Sequence, residues 1–169
     1  MTAATDRKYF TPTGRTLAWI TKTHRWLYER SGGRIGAALP QLSEGRSGLP
    51  LRVMHVLLLT TRGKKTGLLR TVPLPYFVIE GRVVLVASFA GGEQNPAWYG
   101  NLRQAPEVTV RRGREVFTAR AAPIEGAERD RLWGNLVAEW PRYATYQQKT
   151  ARQIPLVELI RGHPGPTAE

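Results

Sequence analysis

The chain has 169 residues, 41% of them hydrophobic and 22% charged, which indicates one folded domain rather than a disordered segment. It has no cysteine, so disulfides, iron–sulfur clusters and thiolate zinc sites are excluded, and its three widely spaced histidines do not suggest a metal site. The net charge of +12 indicates an anionic partner: a nucleic acid, a membrane surface or a polyanionic small molecule.

The positive charge is concentrated in the first half of the chain. Residues 1–79 carry 13 basic and 3 acidic side chains, whereas residues 80–169 carry 12 basic and 10 acidic ones. We therefore expect the first half to meet the anion. Because 20 of the 25 basic residues are arginine, a compositional bias unrelated to binding is the alternative explanation.

The first 50 residues predict an arm, an amphipathic helix and a loop. Residues 1–12 form the arm. The helix is expected over residues 16–30, with Leu17, Ile20 and Leu27 near one face, and residues 45–50 form the loop. The N-terminus lacks the apolar segment of a signal peptide, and no apolar run reaches transmembrane length, so we expect a cytoplasmic protein.

Residues 51–162 predict an antiparallel barrel with flanking helices, followed by a disordered tail at residues 163–169. Strands are expected at residues 56–61, 69–79, 83–88, 107–111, 116–124 and 154–160, and helices at residues 96–104 and 128–140. Pro73 and Pro75 require an edge, a bulge or a break in the second strand. Asn95 is the expected N-cap of the first helix, and Pro141 ends the second.

The first segment that could carry chemistry is the basic loop, residues 60–67 together with Arg70. Its glycines let the backbone turn tightly and present amide protons, and its hydroxyls and cations lie beside them. These are the groups that a phosphate binds, although the spacing is not that of a Walker A loop. A solvated basic hairpin is the alternative.

Two further segments stand out. Small residues at 87–92 lead into a helix start, where a flat ligand could approach the backbone closely; a plain strand-to-helix connection is the alternative. Tyr143 and Tyr146 lie three residues apart in a loop or a short helical turn, so both phenols point to one side. At neutral pH a phenol acts as an acid, but two half-buried aromatic side chains are the commoner arrangement.

These three segments, in this order, resemble the deazaflavin-dependent nitroreductase and quinone reductase family, which uses coenzyme F420 on a split β-barrel. The match runs from about His24 to Ile160. Its blocks are residues 58–67, 70–74, 84–88, 95–102 and 141–147, with Arg152 and the Ile154-Pro155 pair. The resemblance implies a mainly β, FMN-binding-like split barrel and coenzyme F420 (8-hydroxy-5-deazaflavin) as cofactor.

The resemblance also implies roles for individual residues. The cofactor's phosphodiester would be held by the basic loop: Arg62, Gly63, Lys64, Lys65, Thr66, Gly67 and Arg70. The deazaflavin ring would lie against Pro73, Tyr76, Ala87 and Ser88, with Trp98 and Asn101 lining the region of its side chain. Ser88, Tyr143 and Tyr146 would hydrogen-bond the acceptor, and one of the two tyrosines would supply the proton.

The acceptor implied by the resemblance is a quinone, such as menaquinone, or a nitroaromatic compound. Trp19 and Trp26 of the N-terminal helix would line its site, either in a lid or in a peripheral contact with the inner face of the cell membrane. Phe89 and Gln94 stand where family members often have a basic residue, which puts a charged contact from this loop in doubt. Leu69 replaces a proline often found before the arginine.

Three other functions remain open at the level of the sequence. One is a non-catalytic binder of a deazaflavin or a lipid on the same fold, and another is an FMN-dependent split-barrel oxidoreductase. A nucleic-acid-binding module ranks last, because charge alone suggests it and no helix-turn-helix or aromatic platform motif accompanies that charge. The sequence does not decide the oligomeric state.

Overall fold

The structure, a computed structural model, describes Ala38–Pro40 and residues 53–162. The predicted helix at residues 16–30, with Trp19 and Trp26, lies outside the described residues, as do the loop at residues 45–50 and the tail at residues 163–169. The described chain forms seven strands and three helices. The strands are β1 (Ala38–Pro40), β2 (Val53–Arg62), β3 (Leu69–Ile79), β4 (Arg82–Val86), β5 (Glu107–Arg112), β6 (Glu115–Ile124) and β7 (Leu156–Arg161). The helices are α1 (Ala97–Gln104), α2 (Gly126–Glu139) and α3 (Arg142–Gln148).

Antiparallel pairing closes six of these strands into a barrel. The strand order is β1-β2-β3-β4-β7-β6-β5, and β2 also pairs with β5, in register from Leu58 opposite Arg111 to Thr60 opposite Thr109. Strands β2 to β7 therefore form a closed ring, and β1 extends it by pairing with the start of β2. The prediction of an antiparallel barrel with flanking helices is confirmed.

Strand β3 changes its partner halfway, and this explains its two prolines. Residues 69–75 pair with β2, and residues 76–79 pair with β4. Pro73 and Pro75 lie in the first stretch, where β2 is the only paired neighbour among the described strands. A missing amide donor is tolerated there because one side of the strand has no ladder to complete. The strand is thus continuous, as an edge position allows.

Alternation of side chains along the strands creates two cores. Leu57, Leu59 and Leu85 point into the barrel together with Val157 and Leu159. Strand residues on the other face pack against helices α2 and α3 and form the second core. Its buried strand residues are Met54, Phe77, Ile79, Val84, Ile124 and Leu156, and its buried helix residues are Leu132, Leu136 and Tyr143. Burial of both faces explains why β2 and β4 read as apolar runs, whereas β5 and β6 alternate between buried and exposed residues.

Several predicted boundaries are wrong by a few residues. The strand expected at residues 83–88 ends at Val86, and the last strand begins at Leu156. The second helix begins at Gly126, which has a positive φ of 61°, and ends before Trp140. Asn95 is not an N-cap: α1 begins at Ala97 after an extended Pro96, and the Asn95 side chain instead accepts a hydrogen bond from Arg152.

Two groups of ion pairs lie at the end of the barrel that holds the β3–β4 and β5–β6 hairpins. Arg82 contacts Glu128 and Glu158, each at 2.5 Å, and these two carboxylates raise its pKa. Glu115 accepts from both Arg112 and Arg161, and the pKa of Glu115 is lowered, mainly by the hydrogen bond from Arg161. The opposite end of the barrel carries the segments singled out in the sequence.

Candidate active site

Strand directions bring the three segments to one end of the barrel. The basic loop joins the end of β2 to the start of β3. β4 runs antiparallel to β3 and pairs with residues 76–79, the half of β3 that lies further from the loop. It therefore points towards the loop and leaves the ladder at Val86, opposite the start of β7. Residues 87–92, which follow β4, and helix α3, which precedes β7, therefore lie at the same end as the loop.

The basic loop is a closed turn whose amides are used internally. Gly63 N donates to Leu68 O at 2.8 Å, and Gly67 N donates to Gly63 O at 2.7 Å, with Gly67 at a φ of 68°. Thr66 N also donates to Gly63 O, and Leu68 N donates to the Thr66 hydroxyl. In this structure the amides of Gly63, Thr66 and Gly67 are therefore engaged in closing the turn. Binding of an anion falls to the side chains.

The side chains of this loop suit an anion well. Arg62, Lys64, Lys65 and Arg70 are exposed, and no carboxylate pairs with them within residues 53–162. Residues 53–79 contain no Asp or Glu at all. Within residues 53–162 the loop is thus a cluster of cations without carboxylate partners, held in place by its own backbone. A phosphate or carboxylate could bind these cations without displacing an ion pair of that part of the chain.

Asn101, on helix α1, is hydrogen-bonded to the basic loop. Its side-chain oxygen accepts from Lys64 N at 3.1 Å, and its amide nitrogen donates to the Thr61 hydroxyl at 3.0 Å. Asn101 and Thr61 are 6% and 1% exposed. Trp98, on the same helix, is also buried, at 8% exposure, in the inner core. Direct contact of these two side chains with a cofactor stays a prediction, and the hydrogen bonds show that Asn101 holds the loop.

A serine follows the buried Ala87 where β4 ends. Ala87 is fully buried and its amide donates to Pro155 O at 3.0 Å. Ser88 is half-buried, and its hydroxyl has no hydrogen-bond partner among the described residues. Pro73 and Tyr76 of β3 are half-buried too, and the Tyr76 ring lies 5.9 Å from that of His55. A short 3₁₀ turn at Phe89–Gly91 follows Ser88.

The two tyrosines lie on α3 but in different surroundings. Tyr143 is 4% exposed, and its ring packs edge-on against Phe77 at 5.3 Å and against Tyr146 at 5.5 Å. Burial raises the pKa of the Tyr143 phenol well above its usual value, and the neighbouring Tyr146 adds to this. Tyr146 is half-buried and therefore offers the more accessible phenol.

Sequence reasoning gave no role to Arg152, which the structure places at this end. Its guanidinium donates to the carbonyl oxygens of Ala87, Ser88 and Gly92 and to the side chain of Asn95. Burial lowers its pKa. A signal existed in the sequence: no Asp or Glu occurs between Glu139 and Glu158, so an arginine there has only neutral acceptors nearby along the chain.

Metal-ligand clusters and membrane-spanning helices are both absent from the part of the chain that the structure describes. No group of three or more His, Cys, Asp or Glu side chains is placed to hold a metal ion. None of the described helices combines the length and the apolar character needed to cross a membrane.

The fold and the site define a class: an antiparallel split-barrel protein with a cationic loop at one barrel end, and with a serine hydroxyl and two phenols near the end of β4. Comparisons with known proteins agree. The family model described as F420H(2)-dependent quinone reductase matches residues 19–160. An F420H(2)-dependent quinone reductase of Mycobacterium tuberculosis is 36% identical over 146 residues, which cover 84% of this chain and 90% of that protein.

Solved structures show the same likeness. One described as an F420-H2 dependent reductase (FDR-A) has a TM-score of 0.55 and 39% identity, and the match covers 62% of this chain and 92% of that one. Another, described as a domain-swapped dimer, has a TM-score of 0.58 and 31% identity, and covers 85% and 98%. The chain belongs to the F420H(2)-dependent quinone reductase family. It is an oxidoreductase, and its cofactor is coenzyme F420.

Proposed function

We propose that this protein reduces a quinone with reduced coenzyme F420, and that nitroaromatic compounds are a second class of acceptor. The observation that supports the proposal is that the described part of the chain carries both a cluster of cations without carboxylate partners and, where β4 leaves the barrel, a group of hydroxyl donors. Arg62, Lys64, Lys65 and Arg70 have no carboxylate partner within residues 53–162, and the Ser88 hydroxyl has no partner among the described residues.

The residues present fit the cofactor. It carries a phosphate and glutamates, and the cations of the basic loop would hold these anionic groups. Pro73, Tyr76 and Ala87 border the strand end where its flat ring would lie. When bound, reduced deazaflavin supplies a hydride. The protein's task is then to orient the acceptor, to stabilise the negative charge that develops on its oxygen, and to provide a proton.

We assign the proton-donating role to Tyr146 and a supporting role to Tyr143. A half-buried phenol can reach an acceptor oxygen, whereas the Tyr143 ring is fixed edge-on between Phe77 and Tyr146. Burial raises the pKa of Tyr143 further above neutral pH, which makes this phenol a poorer proton donor than an unperturbed one. Ser88 would donate its free hydroxyl to a carbonyl or nitro oxygen of the acceptor.

The helix predicted at residues 16–30, which lies outside the described residues, would complete the acceptor site. In this proposal Trp19 and Trp26 line it, and the same helix makes a peripheral membrane contact that brings the protein to a lipid quinone. Two tryptophans and three cations in residues 16–30 support both roles. Removal of residues 1–30 should then reduce turnover with a long-chain quinone more than turnover with a short-chain one.

The experiment is a comparison of three variants with the wild-type protein under anaerobic conditions. Oxidation of reduced F420 is followed by absorbance with menaquinone analogues and nitroaromatic compounds as acceptors. Tyr146→Phe should lower kcat by about 100-fold, the usual contribution of a general acid. Ser88→Ala should lower it by about tenfold, and Tyr143→Phe by less than Tyr146→Phe. Normal rates in both tyrosine variants would contradict the proton-donating role.

A further inference from the structure

Arg152 holds the turn after β4 from both sides. Its Nε donates to Gly92 O at 3.0 Å and its Nη1 to Asn95 Oδ1 at 2.7 Å. Its Nη2 donates to Ser88 O at 2.8 Å and to Ala87 O at 3.2 Å. Two of these acceptors precede the turn Phe89–Gly91 and two follow it. All four are neutral, so the guanidinium works as a rigid fork of donors and not as half of an ion pair.

The turn that Arg152 spans has an unusual backbone. Phe89, Ala90 and Gly91 have φ angles of 48°, 55° and 84°, three successive residues in the left-handed region. Phenylalanine and alanine rarely adopt this conformation, and it persists only where surrounding contacts over-determine it. Hydrogen bonds from Gly91 N to Ser88 O and from Gly92 N to Phe89 O supply part of that support, and the Arg152 fork supplies the rest.

The same network reaches helix α3. The Gln147 side chain donates to Arg152 O at 2.7 Å and accepts from Ile154 N at 2.9 Å, which fixes the Arg152 backbone to the end of the helix. Gly91 lies directly against the helix: a Cβ at this position would be 2.7 Å from Tyr146 O. The turn that follows Ser88 and the helix that bears Tyr146 are therefore packed as one unit.

We propose that Arg152 is a positioning residue that fixes Ser88 relative to Tyr146. It acts through the backbone carbonyls of residues 87, 88 and 92 and through Asn95, with no contact to the acceptor. This inference rests on the proposed function, because it assigns to Arg152 the alignment of the two groups that bind the acceptor. The guanidinium cannot be replaced by an ammonium, since lysine has no planar fork to span both sides of the turn.

The first test needs neither cofactor nor acceptor. Hydrogen exchange measured on peptides that span residues 88–95 reports the hydrogen bonds of Gly91 N and Gly92 N. Exchange there should be about tenfold faster or more in Arg152→Gln and Arg152→Lys, because each loses hydrogen bonds from a charged donor. Arg120→Gln, at an exposed position of β6, is the matched control and should exchange like the wild type. Normal exchange in Arg152→Gln would refute the positioning role, whatever the activity.

The second test separates positioning from general stability. In Arg152→Gln and Arg152→Lys, kcat should fall by about tenfold or more. The dissociation constant of F420 should change by less than about threefold, because the cations of the basic loop supply that affinity. Equal losses in kcat and in cofactor affinity, or full rescue by Arg152→Lys, would overturn the proposal.

If the Arg152 variants do not fold, a milder variant, Asn95→Ala, tests the same network. Asn95→Ala removes one exposed acceptor and leaves three backbone acceptors, so exchange at residues 88–95 and kcat should change together, by about two- to fivefold. A change in neither would refute the proposal. If the wild-type protein showed no F420-dependent activity with any acceptor, the proposed function would be refuted instead. The hydrogen-exchange measurements would still decide whether Arg152 holds the turn.

Discussion

Replacement of Asn101 by alanine tests whether this side chain supports the basic loop or contacts the cofactor itself. The resemblance in the sequence implies direct lining of the cofactor. In the structure, both polar atoms of the Asn101 amide are engaged, with Lys64 N at 3.1 Å and with the Thr61 hydroxyl at 3.0 Å. If the role is support, Asn101→Ala should destabilise the fold and weaken cofactor binding together.

The size of the effect follows from the two hydrogen bonds. Each contributes about 1 kcal/mol net, and loss of the partner leaves the buried Thr61 hydroxyl and the Lys64 amide unsatisfied, so the free energy of unfolding should fall by about 2–3 kcal/mol. For a chain of this size, that corresponds to a decrease in Tm of about 5–10 °C. F420 affinity should fall by about three- to tenfold as Lys64 loses its anchor.

Urea denaturation measures the free energy of unfolding, and tryptophan fluorescence titration measures F420 affinity. Thr61→Val is the matched control: it removes one of the two hydrogen bonds and should cost about half as much. A double-mutant cycle between Asn101→Ala and Lys64→Gln should show non-additive effects on F420 affinity. A variant with wild-type stability and weaker cofactor binding would refute the supporting role and favour direct contact.

Three further outcomes are expected. F420 affinity should fall with added salt, and a Lys64→Gln/Lys65→Gln variant should bind about 2- to 20-fold more weakly at low salt with a shallower salt dependence; an unchanged dependence would contradict a role for these cations. The stability of the wild-type protein should decrease as pH rises above about 10, because the buried Tyr143 phenol has a raised pKa and the unfolded phenol ionises first. Urea unfolding between pH 9 and 11 should show a weaker decrease in Tyr143→Phe. Arg82→Gln, at the far barrel end, should lower the free energy of unfolding by about 1–2 kcal/mol through loss of two ion pairs and leave kcat unchanged; a large loss of kcat would contradict the placement of the site.

The sequence predicted the barrel because local signals coincide with its strands. Leu69–Ile79 is an apolar and β-branched stretch bounded by glycine-containing turns, and its predicted limits are those of β3. The strand expected to continue through Ser88 stops at Val86 because the chain leaves the ladder there: Ser88 has helical backbone angles and opens the turn that Arg152 holds. Local pattern does not report such a departure, since Ala87 and Ser88 are compatible with either conformation.

The candidate site was predictable in its residue types but not in its geometry. Charge and spacing identify the basic loop and the tyrosine pair. They do not show that Tyr143 is buried against Phe77 or that Asn101 turns towards Thr61, because those contacts join segments far apart in the chain. Arg152 is the clearest case, since it lies 64 residues from Ser88 in sequence and acts on its carbonyl in the fold.

The central claim is that this protein transfers reducing equivalents from F420 to a quinone. The most direct test is an anaerobic titration of the wild-type protein with reduced F420 and a menaquinone analogue, in which oxidised cofactor and quinol are both quantified. One quinol should form for each molecule of cofactor oxidised. Measurable binding of F420 without its oxidation by any quinone or nitroaromatic compound would contradict it and would identify the protein as a binder on the same fold.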